Sequence, residues 1–162
     1  MLTLPPYQKV TTLHCIDGWL RTYLWQGVLL KDLLADAGFD PAAKIVIFRC
    51  ADDYFTSLPL DFVVDHNILL ACGMNGTMMP PERGFPFQVV AEDQYGYRWA
   101  KWVTSIEVSS DVRFRGYFEK RGAENTATLP GLKYPICGSI LTFSMFSLIL
   151  LMLLGIFQPS GE

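Results

Sequence analysis

At 162 residues, 51% hydrophobic and 18% charged, the chain has the length of one domain and is too apolar for disorder. Its net charge of −3 argues against a strongly basic surface, and so against nucleic acid as a partner. The cysteines Cys15, Cys50, Cys72 and Cys137 form no C-x-x-C pair, which removes the zinc clip and the paired redox thiol. A disulfide framework is not expected in a domain of this size facing a reducing compartment.

The first informative stretch is "TTLHCIDGW", residues 11–19, where an alternating run ends on Cys15 just before the turn pair Asp17-Gly18. "WQGVLLKDLLADAG", residues 25–38, repeats Val28, Leu29, Leu33, Leu34 and Ala37 at helical spacing, with Gly38 as the stop. "KIVIFRC", residues 44–50, is β-branched and predicts a strand. "ADDYFTSLPLDF" predicts a loop leading into a helical turn near Leu60 to Val64. "NILLACGMNG" predicts a buried strand ending in a turn at Asn75-Gly76. Three prolines and a glycine keep "MMPPERGFP" irregular. "FQVVAED" and "WVTSIEVSS" predict two further strands joined through "QYGYRWAK".

The soluble part therefore reads as α+β, mixed strands with few helices, without the strand-helix alternation of a doubly wound sheet. The polar, turn-rich residues 123–133 read as a linker. No residue from Tyr134 through Gly161 is charged, and residues 140–157 read "ILTFSMFSLILLMLLGIF". As a helix that run extends about 27 Å, close to a bilayer core of about 30 Å. Residues 134–157 are thus expected to form one C-terminal transmembrane helix, with 158–162 as a short tail. Lys120, Arg121 and Lys133 precede the span and only Glu162 follows it, so the positive-inside rule places the soluble domain in the cytoplasm.

No dinucleotide fingerprint, Walker A, H-E-x-x-H or G-x-S-x-G motif occurs. By itself, Cys15 reads first as a small buried apolar residue. A Cys15–His14 nucleophile pair is weaker, because neighbours in a strand point to opposite faces.

Six pieces in order change that reading: "TLHCIDGW", "WQGVLLKDLL", "AKIVIFRCADDYFTSLPL", "LLACGMNGTMMPPERGFPFQVV", "YGYRWAKWVTSIE" and "GYFEKRG". Together they resemble the molybdopterin-binding domain of the sulfite oxidase family, which includes bacterial sulfoxide reductase catalytic subunits. The match runs from about Thr11 to Gly122, within a domain set at residues 1–122. The resemblance implies a molybdenum-molybdopterin cofactor and oxygen-atom transfer on a small oxyanion or sulfoxide. Cys15 would be the protein thiolate on molybdenum, since a soft metal centre takes a sulfur ligand well. A haem-containing redox partner in the membrane is implied with it.

Less directly, the resemblance places Trp99, Ala100 and Lys101 in a cofactor-contacting segment, with Lys101 suited to a phosphate. It offers Arg83 as a second phosphate contact and Cys50 as a pocket-lining residue. Two departures stand out. Gln88 stands where the family usually has arginine, and an amide donates hydrogen bonds without neutralising an anion. Glu92 stands where relatives tend to have proline and adds negative charge near the site. The family's domain also begins earlier relative to the cysteine. The rival expectation is a degenerate, cofactor-free, membrane-anchored scaffold or subunit of the same fold.

Overall fold

The structure is a computed structural model that describes residues 4–125 and 127–129. It opens with a hairpin. Strand β1 (Tyr7–His14) pairs antiparallel with β2 (Leu20–Leu29), from Tyr7 opposite Gly27 to His14 opposite Leu20. Cys15 begins the connecting turn, donating its N–H to the Trp19 carbonyl and accepting from Gly18 N–H, both at 3.0 Å. Gly18, at φ 87°, takes a conformation a side chain disfavours.

The long β2 replaces the front half of the helix expected over residues 25–38. Trp25, Gly27 and Leu29 are buried at every second position, which is the strand period rather than the helical one. Val28 and Leu29 suit either period, so tertiary pairing decides: β2 is clamped between β1 and β5 (Leu69–Met74). Gly27 permits this, because a Cβ there would run into the Leu70 carbonyl oxygen. The helix itself, α1, covers only Leu30–Ala37, buries Leu30 and Leu34, and ends at Gly38, whose N–H bonds the Leu34 carbonyl.

The expected strand at 44–50 is β3 (Ile45–Cys50). The expected loop after it contains a further strand, β4 (Phe55–Pro59), which pairs with β3 and leads into α2 (Leu60–Asp65). Its polar positions disguised it. Thr56 and Ser57 are buried because Arg98 bonds the Thr56 hydroxyl and the Ser57 carbonyl.

β5 is a continuous apolar run flanked by β2 on one side, while Asn75 and Gly76, at φ 52° and 80°, make the two-residue turn into the short β6 (Thr77–Met78). β7 (Gln88–Val90) pairs with the first half of β5. A second sheet orders β4-β3-β8, with β8 spanning Val103–Ser109. The core between the elements is built on Trp25, Leu30, Phe48, Leu58, Ile68 and Leu69. Burying each such side chain contributes about 1.5–3 kcal/mol.

The result is a strand-dominated fold with few, short helices. No helix among the described residues is long and apolar enough to cross a membrane. The span expected at residues 134–157 lies outside the described residues. Past Gly122 the chain keeps contact with the domain: the Asn125 carbonyl accepts from Arg98, and Thr128 bridges to Gln94.

Candidate functional site

The β1–β2 hairpin separates two hollows of opposite character. Successive residues of β2 point to opposite faces. On one face Thr22, with Thr12 and His14 of β1, lines a cleft of about 580 Å³. On the other, Arg21 and Tyr23 join Trp19 and Arg83 around a hollow of about 360 Å³. The Cys15 turn closes the end of the hairpin, and Cys15 lines the larger cleft.

Cys15 is half-buried, not sealed in the core, and its thiol lies 3.6 Å from Asp17 Oδ2. Across the cleft stand Glu92, Asp93 and Tyr95. Tyr95 is tied to the hairpin by a bridge to His14. Glu92 is held by Lys9 at 2.6 Å and by the Thr11 hydroxyl at 2.8 Å. Burial pushes the Glu92 carboxyl up, but these partners outweigh it together and keep it below the usual carboxylate range.

The basic side centres on Gly84. A Cβ there would touch Lys101 Cβ at 3.2 Å and Gln88 Cβ at 3.3 Å, so the backbone at φ 116° brings those two side chains to one spot. Gln88 is 1% exposed, and its side-chain N–H₂ has no acceptor among the described residues. Lys101 is depressed below the ordinary lysine range, first by burial and then by the Arg83 charge beside it. The Arg83 guanidinium sits 5.9 Å from the Tyr23 ring centre. Neither Arg83 nor Lys101 is ion-paired with an acid among the described residues. Two adjacent cations and a buried donor without an acceptor make a cradle suited to an anion.

Arg83, Gln88 and Lys101 are therefore brought together. Trp99 and Ala100 take another part. Both are in the core, Trp99 edge-on to Trp25 with ring centres 5.8 Å apart and its Nε1–H donated to the Gln94 carbonyl. The Ala100 carbonyl accepts from Val89 N–H at 2.8 Å. They fix the backbone that delivers Lys101 beside β7 and do not offer side chains to a ligand. Cys50 is buried at the end of β3, where burial and then Asp52 push its thiol up to about 12. That keeps it protonated and unreactive.

Arg21, Tyr23 and Asp93 were not singled out from the sequence. The alternation Trp19, Arg21, Tyr23 was the available signal, masked by reading the segment after it as helix. Asp93 carried none: its place in the cleft depends on a backbone at φ 71° next to Glu92.

Three comparisons with known proteins bear on this site. Residues 1–118 match the family model described as the oxidoreductase molybdopterin-binding domain. The chain is 34% identical over 119 residues to the uncharacterized oxidoreductase YuiH of Bacillus subtilis, covering 73% of this chain and 60% of that protein. It is 32% identical over 119 residues to the putative protein-methionine-sulfoxide reductase subunit YedZ1 of Azospira oryzae, covering 74% and 45%. Mouse mitochondrial sulfite oxidase is 32% identical over 117 residues, covering 66% and 21%. Among solved structures, the sulfane dehydrogenase SoxCD of Paracoccus pantotrophus superposes with a TM-score of 0.63 at 23% identity, over 71% of this chain and 33% of that one, and shares its fold. The chain thus spans 60% or less of the length of these relatives.

Proposed function

This chain belongs to the oxidoreductase molybdopterin-binding domain family, and on that premise we propose that it forms the cofactor-holding part of an enzyme that moves an oxygen atom to or from a small substrate such as sulfite or a sulfoxide. The observation that carries the proposal is the position of Cys15, half-buried in the lining of a cleft, on a hairpin whose other face meets an anion cradle.

The donor set fits the family's cofactor. Cys15 would supply the thiolate to molybdenum, and its turn is fixed by the two backbone hydrogen bonds to Trp19 and Gly18. The cradle of Arg83, Lys101 and Gln88 would take the phosphate of the pterin, the cations offsetting its charge and the amide using its idle N–H₂. A bound phosphate would raise Lys101 back toward its ordinary range, since the nearby negative charge favours its protonated form. When bound, the cofactor supplies the two-electron redox chemistry of oxygen-atom transfer. The protein's share is placement: the cleft leaves room for a small substrate beside Cys15, and Thr12, Thr22, His14 and Tyr95 can orient it by hydrogen bonds.

Metal and pterin analysis of protein matured with the cofactor tests the proposal. Bound molybdenum that is lost in Cys15→Ser, with the fold retained by circular dichroism, supports it. Matured protein without molybdenum removes it and leaves the cofactor-free scaffold.

The apolar run at 134–157 is part of the same proposal, as a membrane anchor that holds the domain on the cytoplasmic side near a haem-containing electron partner. Retention of the full chain in the membrane pellet after alkaline carbonate, and its release on truncation at residue 133, is the expected result. Release of the full chain by carbonate would rule the anchor out.

A further inference from the structure

Part of the stretch that reads from the sequence as a linker forms a wall of the Cys15 cleft. It lies beyond the residues 1–118 that match the family, and it runs back along the domain. Ala123 N–H donates to the Phe118 carbonyl at 3.1 Å, the Glu124 carbonyl accepts from the Tyr97 hydroxyl at 3.0 Å, and the Asn125 carbonyl accepts from Arg98. Residues 127–129 then pair antiparallel with 93–95. Tyr95 N–H donates to the Ala127 carbonyl at 3.0 Å, Leu129 N–H donates to the Asp93 carbonyl at 3.1 Å, and Gln94 stands opposite Thr128 between those two bonds.

The pairing fixes which side chains face the cleft. Gln94, 4% exposed, donates its side-chain N–H₂ to the Thr128 hydroxyl at 3.4 Å. Neighbours along a paired segment point the other way, and Asp93, Tyr95 and Leu129 all line the cleft that holds Cys15. A slip of one residue would exchange Leu129 for Thr128 there. Ala127 opposes such a slip. It is buried at φ 47°, a left-handed conformation that an L side chain takes only where packing holds it. Among the described residues, Leu129 is the one aliphatic side chain on the wall facing the hairpin, beside Glu92, Asp93 and Tyr95.

Resting on the oxidoreductase reading above, we propose that Leu129 is a specificity-determining residue: carried into the cleft by the 127–129 strap, it limits the size of the group that can lie beside Cys15. Thr12, Thr22 and Tyr95 can recognise the polar end of a substrate and are indifferent to what is attached to it. A branched side chain held in register is not indifferent. Atoms added to the substrate on that side must displace it, and a packed wall gives little. Compact substituents pass, and aryl or branched ones are turned away.

The described cysteines calibrate the test, since Cys15 is half-buried, Cys50 buried and Cys72 exposed. Metal-free full chain is treated with methyl and benzyl methanethiosulfonate, both neutral, and the rate at each cysteine is read by peptide mass spectrometry. Relative to Cys72, the benzyl-to-methyl ratio at Cys15 should be about tenfold lower in the wild type, should rise about fivefold in Leu129→Ala and should fall further in Leu129→Phe. Cys50 should stay unlabelled in all three. A ratio at Cys15 that neither variant moves overturns the inference. Labelling of Cys50 in Leu129→Ala overturns it too, because Leu129 would then be a packing residue whose loss opens the whole domain.

A second measurement uses molybdenum-loaded holoprotein with a reduced dye, comparing kcat/KM for dimethyl sulfoxide and benzyl methyl sulfoxide. Leu129→Ala should raise the benzyl-to-methyl ratio about fivefold. Loaded protein whose ratio stays put, or that turns over neither compound, overturns the inference while the oxidoreductase reading stands. Protein that holds no molybdenum overturns both, whatever the labelling ratio.

Discussion

Two arginine-bearing clusters in this domain use the same chemistry to opposite ends. Arg98 is 3% exposed at its side chain, and its two terminal nitrogens meet acceptors from the protein itself, while its buried Nε–H has no acceptor among the described residues. It meets Glu119 at 2.8 Å, the Ser57 carbonyl, the Thr56 hydroxyl and the Asn125 carbonyl. That cluster ties β4, the turn at 96–98 and the chain beyond Phe118 into one body. Arg83 and Lys101 have no such acid in an ion pair among the described residues. They stand beside each other and beside an amide without an acceptor, an arrangement the fold tolerates at a cost. What separates the two is the counter-charge: a buried cation paired with its own acid is structure, and adjacent cations without one suit an anionic ligand.

The contrast breaks most sharply at Arg98. Arg98→Met keeps the apolar stem but strands Glu119, 1% exposed at its side chain, without its counter-charge. The expected loss is about 3–5 kcal/mol, read from the urea midpoint of the metal-free protein. Double replacement of Arg98 and Glu119 by Met should recover much of that loss, because no lone charge remains buried. A smaller loss, about 2 kcal/mol, is expected for Gly116→Ala, whose Cβ would press on the Glu119 carboxylate. If both single variants leave the urea midpoint unchanged, the cluster is not the clasp described.

These two clusters were unequally legible in the sequence. Lys101 and Arg83 could be offered as cofactor contacts, and Gln88 as a departure beside them, only through the resemblance to the family. Their meeting at Gly84 could not, since it follows from how residues 84–90 pair with 99–103. Arg98 and Glu119 are far apart in the chain, each reading as an ordinary surface charge, and only the packing of the 117–121 turn against β4 joins them. Among the elements, β3 and β5 were readable because dense β-branched or apolar runs have no other use. The front of β2 was not, because Val28 and Leu29 satisfy both periods and pairing with β1 and β5 decides. The Cys15 turn was readable from Asp17-Gly18 alone. What lies across the cleft from it depends on contacts that no local pattern encodes.

The open cluster predicts an effect of the other sign. Lys101→Met removes a half-buried cation that Arg83 opposes and that no ion pair among the described residues offsets. Metal-free protein should gain about 0.5 kcal/mol, the partial exposure of the site holding the figure down. Added pyrophosphate, standing in for the cofactor's phosphate, should raise the melting temperature of the wild type and raise that of the variant less. A variant that is less stable and responds equally to pyrophosphate would make Lys101 an ordinary packing residue.

The smallest effect belongs to the ion pair on the acidic side. Glu92 lies below its ordinary value of 4.5 when folded, with Lys9 and Thr11 as the favourable partners. A carboxyl depressed on folding contributes stability that is fully present above its unfolded pKa and is lost as the pH falls through its folded one. Glu92 is 39% exposed at its side chain, so the pair is screened and its worth is small. Glu92→Gln should cost about 0.5 kcal/mol at neutral pH, measured by urea unfolding. The difference from wild type should hold down to about pH 5 and then close as the wild-type carboxyl takes up its proton. A gap that persists to low pH would mean that the introduced amide fails by shape, through the lost fit to Thr11, and that charge on this wall of the cleft contributes nothing to the fold.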